Sequence, residues 1–356
     1  MSVIIGKRVI SVNSKPYFIA DIAANHDGDI NRAYKLIELA KESGADAAKF
    51  QNFKAKTIVS RNGFETLRTQ LSHQSSWEKS VFETYQDVSL PDEWSNKLKS
   101  KCDEIGIEYM TSPYDFLSVD WADKFVNAFK IGSGDITWIE IIEHIAKKKK
   151  PVLLATGASE MSEVIRAVSA IEKYNSQIVL MQCNTNYTAS TDNYSYINLN
   201  VLKEYKKRFP ECILGLSDHT NSHTTVLGAL ALGARVFEKH FTDDKKRKGP
   251  DHGFSVEPEE WKKMVKATNE LYQALGDGIK RVEDNEQETV RIQRRGLYLL
   301  RDLKVGDVIT EDSVFPLRPV KGGMVPPYEK EKVIGKKVNK NLHADEALLW
   351  EDLESV

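Results

Sequence analysis

Eight short apolar runs, each followed by a stretch of helical periodicity, constrain this chain more than any other feature. The runs are YFIADIAAN (17–25), DAAKFQNF (46–53), IEYMTSPY (107–114), NAFKIGSGD (127–135), PVLLATGA (151–158), IVLMQCNTNY (178–187), CILGLSDHT (212–220) and ARVFEKHFT (234–242). Their length and composition suit buried strands, and the intervening stretches place apolar residues at helical spacing. In INRAYKLIELAKESG, for example, Ile30, Ala33, Tyr34, Ile37 and Ala40 share a face, Asp29 is placed to cap the helix and Gly44 to stop it. SEMSEVIRAVSAIEKY and SHTTVLGALALG repeat the pattern. An open Rossmann-type sheet usually has fewer such units and carries a glycine-rich fingerprint in its first turn. Eight units favour a closed (β/α)8 TIM barrel, here over residues 1–279.

The chain then changes character. Residues 280–293, KRVEDNEQETVRIQ, are polar and suit a linker or connecting helix. Within 294–356, RDLKVGDVITEDSV (301–314) is echoed by KNLHADEALLWEDL (340–353), which predicts a small β-rich domain with pseudo-twofold repetition. The connection from the second apolar run to about residue 90 is unusually long, and such connections are often functional.

Charge narrows the functional classes. With a net charge of −2 and no basic excess, nucleic acid is not an expected partner. No window reaches the roughly 18–20 apolar residues that span a bilayer, and no leader pattern opens the chain, so no membrane partner is expected. Three cysteines are too few for a disulfide framework and lack metal-ligand spacing, which fits a reduced, cytoplasmic location.

In such a barrel the carboxyl ends of the strands converge on one mouth. Reading those ends in order gives Asp21 and Asn25, Lys49 and Gln51, Thr111 and Ser112, then Lys130, Ser133 and Asp135. Thr156, Asn184, Thr185 and Tyr187 follow, then Ser217, Asp218 and His219, and finally Glu238 and His240. One polar end is explained by a capped helix or turn; polar residues at all eight are hard to explain as packing. His219 and His240, on consecutive strands, could share a divalent metal, although a pair of histidines is more often satisfied within a core. Lys49 and Lys130 beside Ser112 and Ser133 would clamp a phosphate or carboxylate. A Schiff-base lysine, or a lysine simply paired with Asp135, are the alternatives. IGSGD lacks a third glycine and is no dinucleotide motif, and KKKK (147–150) reads as a solvated helix end.

FIADIAANHDGD, GADAAKFQ, FKIGSGD, ATG, GLSDHT and EKHFTD…GPD, with RRGLYLLRDLKVGDVITEDSVFPLRP and VIGKK near the end, resemble the sialic acid synthase family and its C-terminal antifreeze-like (SAF) domain. The resemblance covers nearly the whole chain. It implies condensation of phosphoenolpyruvate with an N-acylated aldose, water adding at C2 and phosphate leaving by C–O cleavage. By the same resemblance, His219 and His240 would hold Mn2+ or Mg2+, and Lys49, Ser112, Lys130, Ser133 and Ser217 would contact phosphoenolpyruvate, with Asn184 nearby. Glu238 would handle a proton or orient water. Asp21, Gln51, Asp135, Tyr187 and Asp251 would face the sugar, and Arg318 would reach it from the partner in a domain-swapped homodimer. The chain departs from the family in having Asp21 and Asp135 where glutamate is usual, in the order Cys183-Asn184-Thr185-Asn186-Tyr187-Thr188, and over SHQSSWEKSVFETY (72–85). The changes gather around the sugar, so an intact condensation with an unusual acceptor is expected, a diacylated dideoxy sugar of the legionaminate type or another aldose. A Schiff-base pyruvate aldolase and a non-catalytic sugar-binding homologue are the competing readings.

Overall fold

The computed structural model describes residues 2–67, 74 and 77–354. Strands β1 (Ser2–Ile5) and β2 (Arg8–Ser11) form an antiparallel hairpin that the apolar runs do not announce. Each of the eight runs then yields one strand: β3 (Tyr17–Asp21), β4 (Ala47–Asn52), β5 (Glu108–Pro113), β6 (Phe129–Ile131), β7 (Val152–Ala155), β8 (Ile178–Cys183), β9 (Ile213–Asp218) and β10 (Val236–His240). Neighbours pair in parallel and in chain order, and β10 returns to β3 to close the barrel.

Side-chain parity organises the whole unit, because successive residues of a strand face opposite sides. Phe18, Ala20, Ala48, Phe50, Tyr109, Phe129, Val152, Leu154, Leu180, Leu214, Leu216 and Phe237 point outward and pack under the helices. The alternate set, Tyr17, Ile19, Ala47, Met110, Ala128, Leu153, Val179, Met181, Ile213 and Val236, fills the interior together with Val3, Ile5 and Ile10 of the hairpin. Gly215 belongs to this inner set, where a Cβ would meet Met181 Cγ and the Val236 carbonyl, each at 2.9 Å. Continuing the inner parity toward the carboxyl ends delivers Asp21, Lys49, Gln51, Ser112, Lys130, Cys183, Ser217, Glu238 and His240 to one mouth.

Local signals place the helices. Asp29 accepts from the Asn31 amide and caps Ile30–Glu42, while Gly44 leaves that helix at φ +90°. Lys147 caps Ile139–Ala146, so the KKKK run does sit at a helix end. The long connection after β4 carries short helices at Ala55–Ile58, Arg61–Thr66 and Val81–Asp87. Of the divergent segment 72–85, residues 72, 73, 75 and 76 lie outside the described residues.

Contacts divide the chain into Met1–Gly276 and Asp277–Val356. In the second unit, the 280–293 stretch holds a helix, Gln287–Gln293, with no buried residue. Beyond it, β11 (Gly296–Leu299) pairs antiparallel with β12 (Val314–Leu317). Equivalent leucines of the sequence echo, Leu303 and Leu342, exchange both backbone hydrogen bonds at 2.9 and 2.8 Å. That reciprocity is what a pseudo-twofold repeat requires. Both leucines join Leu297, Ile309, Val314, Val338 and Leu348 in a separate apolar core.

Candidate active site

The mouth of the barrel holds a buried cluster of charges. Lys49 Nζ donates to Asp21 Oδ2 at 2.7 Å and stands 3.6 Å from Glu238 Oε1. Lys130 Nζ lies 3.2 Å from the same Glu238 oxygen, and Ser217 Oγ donates to it at 3.3 Å. All four charged side chains are at most 5% exposed. Charges this deep must be mutually compensated, since desolvation costs several kcal/mol per ion. Burial alone would raise Glu238, but Lys130 and Lys49 outweigh it and hold the carboxyl at about 2. Burial disfavours the Lys49 ammonium, yet Asp21 and Glu238 reverse that and keep it above the ordinary lysine range. Asp21 is pushed the other way: burial raises it against the pull of Lys49.

Two features of this cluster point outward to a ligand. Asp21 Oδ1 and Glu238 Oε2 are buried and find no hydrogen-bond partner among the described residues. Ser112 and Ser133 complete the wall, with Ser112 Oγ 3.4 Å from Lys49 Nζ and Ser133 Oγ accepting from the Gly157 amide at 2.9 Å. Gly157 is needed for that approach, because a Cβ there would lie 2.9 Å from Ser133 Oγ and 3.1 Å from Cys183 Sγ. Two ammonium groups and three hydroxyls around one small space suit a doubly anionic ligand. Lys130 pairs with Glu238 and not with Asp135, the partner that one alternative reading of the sequence offers.

The histidines adjoin the cluster. Their ring centroids are 5.5 Å apart, and His240 Nε2 lies 3.5 Å from Asp21 Oδ2. His219 Nδ1–H donates to the Asn184 carbonyl at 2.8 Å, which leaves the Nε2 lone pair for another partner. Burial and then the neighbouring His240 lower His219 to about 4, so its imidazole is neutral near pH 7. Among the described residues no three histidine, cysteine or carboxylate side chains are grouped as a ready metal cage. His219, neutral near pH 7, and His240, whose Nε2 lies beside the Asp21 carboxylate, nevertheless form a donor set that fits a divalent cation with open positions. Tyr187 packs edge-on against His219 at 4.3 Å between centroids.

Sugar-side candidates are less uniform. Gln51 Nε2 donates to Asp21 Oδ2 at 3.4 Å, and Asp251 Oδ2 accepts from the Ala24 amide at 3.1 Å. Burial pushes Asp251 and Asp135 up to about 6. Asn184 turns its side-chain amide to the Tyr196 carbonyl at 3.3 Å, and its backbone carbonyl is what reaches the site. Arg318 follows β12 in the second unit. Three cations of the loop after β10 are engaged elsewhere: Lys245 with Glu260, Arg247 with Asp243 and Lys248 with Glu78.

Other polar strand ends are structural. Thr111 Oγ1 donates to Asn52 Oδ1 at 2.6 Å, Asn25 Nδ2 to the Phe241 carbonyl at 2.9 Å, and Tyr205 to Thr156 Oγ1 at 2.9 Å. Asp218 takes Lys239 Nζ at 2.5 Å on the outer face of the barrel. Sequence reasoning missed Tyr114 and Cys183, which line the mouth, and Tyr85, which approaches it from the long connection. Inner parity with Lys130 and Ser217 could have found Cys183; nothing local marks Tyr85.

Comparison with known proteins agrees with this geometry. A model of the NeuB family matches residues 36–280 and a SAF domain model matches 294–354. The chain is 35% identical to the N,N'-diacetyllegionaminic acid synthase of Legionella pneumophila over 95% of both chains. It is 30% identical to a pseudaminic acid synthase of Campylobacter jejuni, covering 97% of this chain and 98% of that one. The crystal structure of an N-acetylneuraminic acid synthetase from Leptospira borgpetersenii, in complex with citrate, superimposes with a TM-score of 0.71 at 27% identity, over 82% of this chain and 95% of that one. The chain therefore belongs to the NeuB family, the sialic acid synthase family that its motifs resemble, and carries the C-terminal SAF domain.

Proposed function

We propose that this protein condenses phosphoenolpyruvate with an open-chain acylated amino aldose to give a nonulosonic acid and inorganic phosphate. The observation that carries the reading is the buried Lys49–Glu238–Lys130 cluster, with two carboxylate oxygens lacking partners at the mouth of a NeuB-family barrel. The names of the relatives, which include legionaminic, pseudaminic and neuraminic acid synthases, support the same reaction class.

Lys49 and Lys130, with Ser112, Ser133 and Ser217, hold the phosphate and carboxylate of phosphoenolpyruvate and stabilise the charge that moves between them. The phosphoenolpyruvate C3 forms a bond to the aldehyde carbon, and the aldehyde oxygen takes up a proton. Glu238, held ionised by two lysines, is a hydrogen-bond acceptor that orients the water adding at C2. Loss of the water's proton and cleavage of the C2–O bond then release phosphate. His219 and His240 are the residues that would hold Mn2+ or Mg2+, which when bound supplies Lewis-acid polarisation of the aldehyde. Asp21, Gln51, Tyr187 and Asp251 orient the sugar hydroxyls, with Asp135 flanking them; Asn184 contributes through its carbonyl on His219. Arg318 reaches the sugar from the partner of a domain-swapped homodimer.

Lys49 argues against the aldolase alternative, because a Schiff-base amine needs a depressed pKa and this ammonium is stabilised by two carboxylates. The test is phosphate release from phosphoenolpyruvate with Mn2+ over a panel of acylated and unacylated aldoses. Release with an acylated hexose, lost on chelation, is the expected result. Borohydride trapping of a pyruvate adduct that ignores chelator would overturn it in favour of the aldolase. Phosphoenolpyruvate binding without release across the panel would leave the non-catalytic homologue.

A further inference from the structure

Each of the two histidines is preceded by one member of a buried ion pair that the mechanism above does not use. Asp218 and Lys239 are Cα partners at the end of the β9–β10 ladder, and His219 and His240 are the next residues of the two segments. By strand parity the charged pair faces the outside of the barrel while the histidines face the mouth. Lys239 Nζ meets Asp218 Oδ2 at 2.5 Å, with the two side chains 2% and 1% exposed.

The histidines are not held alike. His240 ends β10 opposite Asp21 of β3, and its carbonyl accepts from the Val256 amide at 2.8 Å. His219 is the first residue beyond β9, so the turn that follows must fix it. The ion pair supplies that turn's bonds. Asp218 accepts from the Thr220 amide at 3.1 Å, and from the hydroxyls of Thr220 at 3.0 Å and Thr225 at 2.6 Å. Lys239 Nζ donates to the Thr220 carbonyl at 2.5 Å and to that of Ser222 at 3.4 Å. The residues before and after His219 are thus both tied to β10, the strand that carries His240.

Stability does not account for the pair by itself, because replacing a buried ion pair with apolar residues is often neutral or stabilising. Charge and direction add a fixed geometry: a slip of one residue between β9 and β10 would part Lys239 from Asp218 and turn a histidine away from the mouth. We propose that Asp218 and Lys239 are positioning residues for the divalent cation, setting the backbone of His219 against His240 from the far side of the barrel wall. The inference rests on the metal assignment proposed above and adds which residues outside the mouth determine how tightly that cation is held.

The test is Mn2+ titration of the full-length protein read by electron paramagnetic resonance, with Tm and metal-free phosphoenolpyruvate binding measured alongside. Lys239→Met and Asp218→Asn should each weaken Mn2+ binding by about 10- to 100-fold, the range for partners that orient metal ligands. Both should bind phosphoenolpyruvate as the parent does, and excess Mn2+ should restore turnover. The double variant, Asp218→Asn with Lys239→Met, buries no unpaired charge, so its Tm should exceed that of either single variant while Mn2+ stays weakly bound. Parental Mn2+ affinity in the single variants, or affinity that recovers with Tm in the double one, would overturn the inference and leave the pair a stability element only. Thr225→Val removes one Asp218 contact at nearly constant shape and keeps the inference testable if the charge variants do not fold. It should weaken Mn2+ by a smaller factor, and parental affinity there would overturn the inference equally. A parent protein that binds no Mn2+ would overturn the metal assignment and this inference together.

Discussion

Replacing Glu238 by glutamine tests the charge cluster without changing its shape. Glu238 is the carboxylate within ion-pair distance of Lys130, at 3.2 Å, and it also stands 3.6 Å from Lys49. Lys49 keeps Asp21 at 2.7 Å when Glu238 is lost, whereas Lys130 has no other carboxylate within 4.0 Å among the described residues. A depression of the carboxyl from 4.5 to about 2 corresponds to about 3 kcal/mol of stabilisation near neutral pH. Removing one partner of a buried ion pair costs about 3–5 kcal/mol, which agrees. For a unit of this size, that loss should lower Tm by about 6–10 °C in a calorimetric scan at pH 7. The same substitution leaves an excess positive charge where phosphoenolpyruvate binds. Phosphoenolpyruvate affinity, measured by titration calorimetry, should therefore hold or rise, and saturating ligand should restore more Tm to the variant than to the parent protein. Turnover should fall by about 10²-fold or more, because the uncharged amide no longer orients the adding water as the carboxylate does. A variant with unchanged Tm and weakened phosphoenolpyruvate binding would refute the reasoning, because it would show that Lys130 does not depend on Glu238 for its compensation.

Other expectations follow from the same geometry. His219→Ala and His240→Ala should each abolish Mn2+ binding in titration calorimetry while phosphoenolpyruvate binding persists; retained activity without added metal in either would contradict the metal assignment. His26 is buried, which lowers it to about 4 against 6.5 in the unfolded chain. Its contribution of about 3 kcal/mol is therefore present above pH 6.5 and lost as pH falls through 4, so the Tm difference between His26→Gln and the parent should change across that window and be flat above it. For the proposed domain swap, Arg318→Ala and Glu238→Gln proteins, each inactive alone, should regain about a quarter of parental activity after co-refolding, because mixed dimers then carry one complete site. No recovery would count against the exchange.

Much of the barrel was legible because its signals are local. Each apolar run became one strand, and Asp29 and Gly44 bounded their helix as capping chemistry requires. The site was legible only down to strand ends. Thr111, Asn25, Thr156 and Asp218 sit at those ends as plainly as Lys49 and Glu238 do, yet they serve backbone and helix contacts. What separates the two groups is register: Glu238 pairs with Ser217 and Ile19, which fixes it on the inner parity, and Lys239 on the outer. Register depends on which strands meet, and no single run carries that information. Tyr85 shows the second limit. It comes from a connection without periodicity, and its place beside Phe53 is a tertiary outcome. The hairpin β1–β2 shows a third: Val3, Ile5 and Ile10 alternate too briefly to stand out, although they help fill the barrel's interior. The leucine echo in the second unit was readable because repetition itself is the signal, and Leu303 and Leu342 do pair reciprocally.

The central claim is a carbon–carbon bond-forming condensation that cleaves phosphoenolpyruvate between carbon and the bridging oxygen. Phosphoenolpyruvate carrying 18O at that bridge, incubated with the protein, Mn2+ and an acylated amino hexose, tests it in one mass spectrum. The account expects the label in the released phosphate and a sugar acid three carbons longer than the acceptor. Label retained in the product, or phosphate formed without a lengthened sugar, would contradict it.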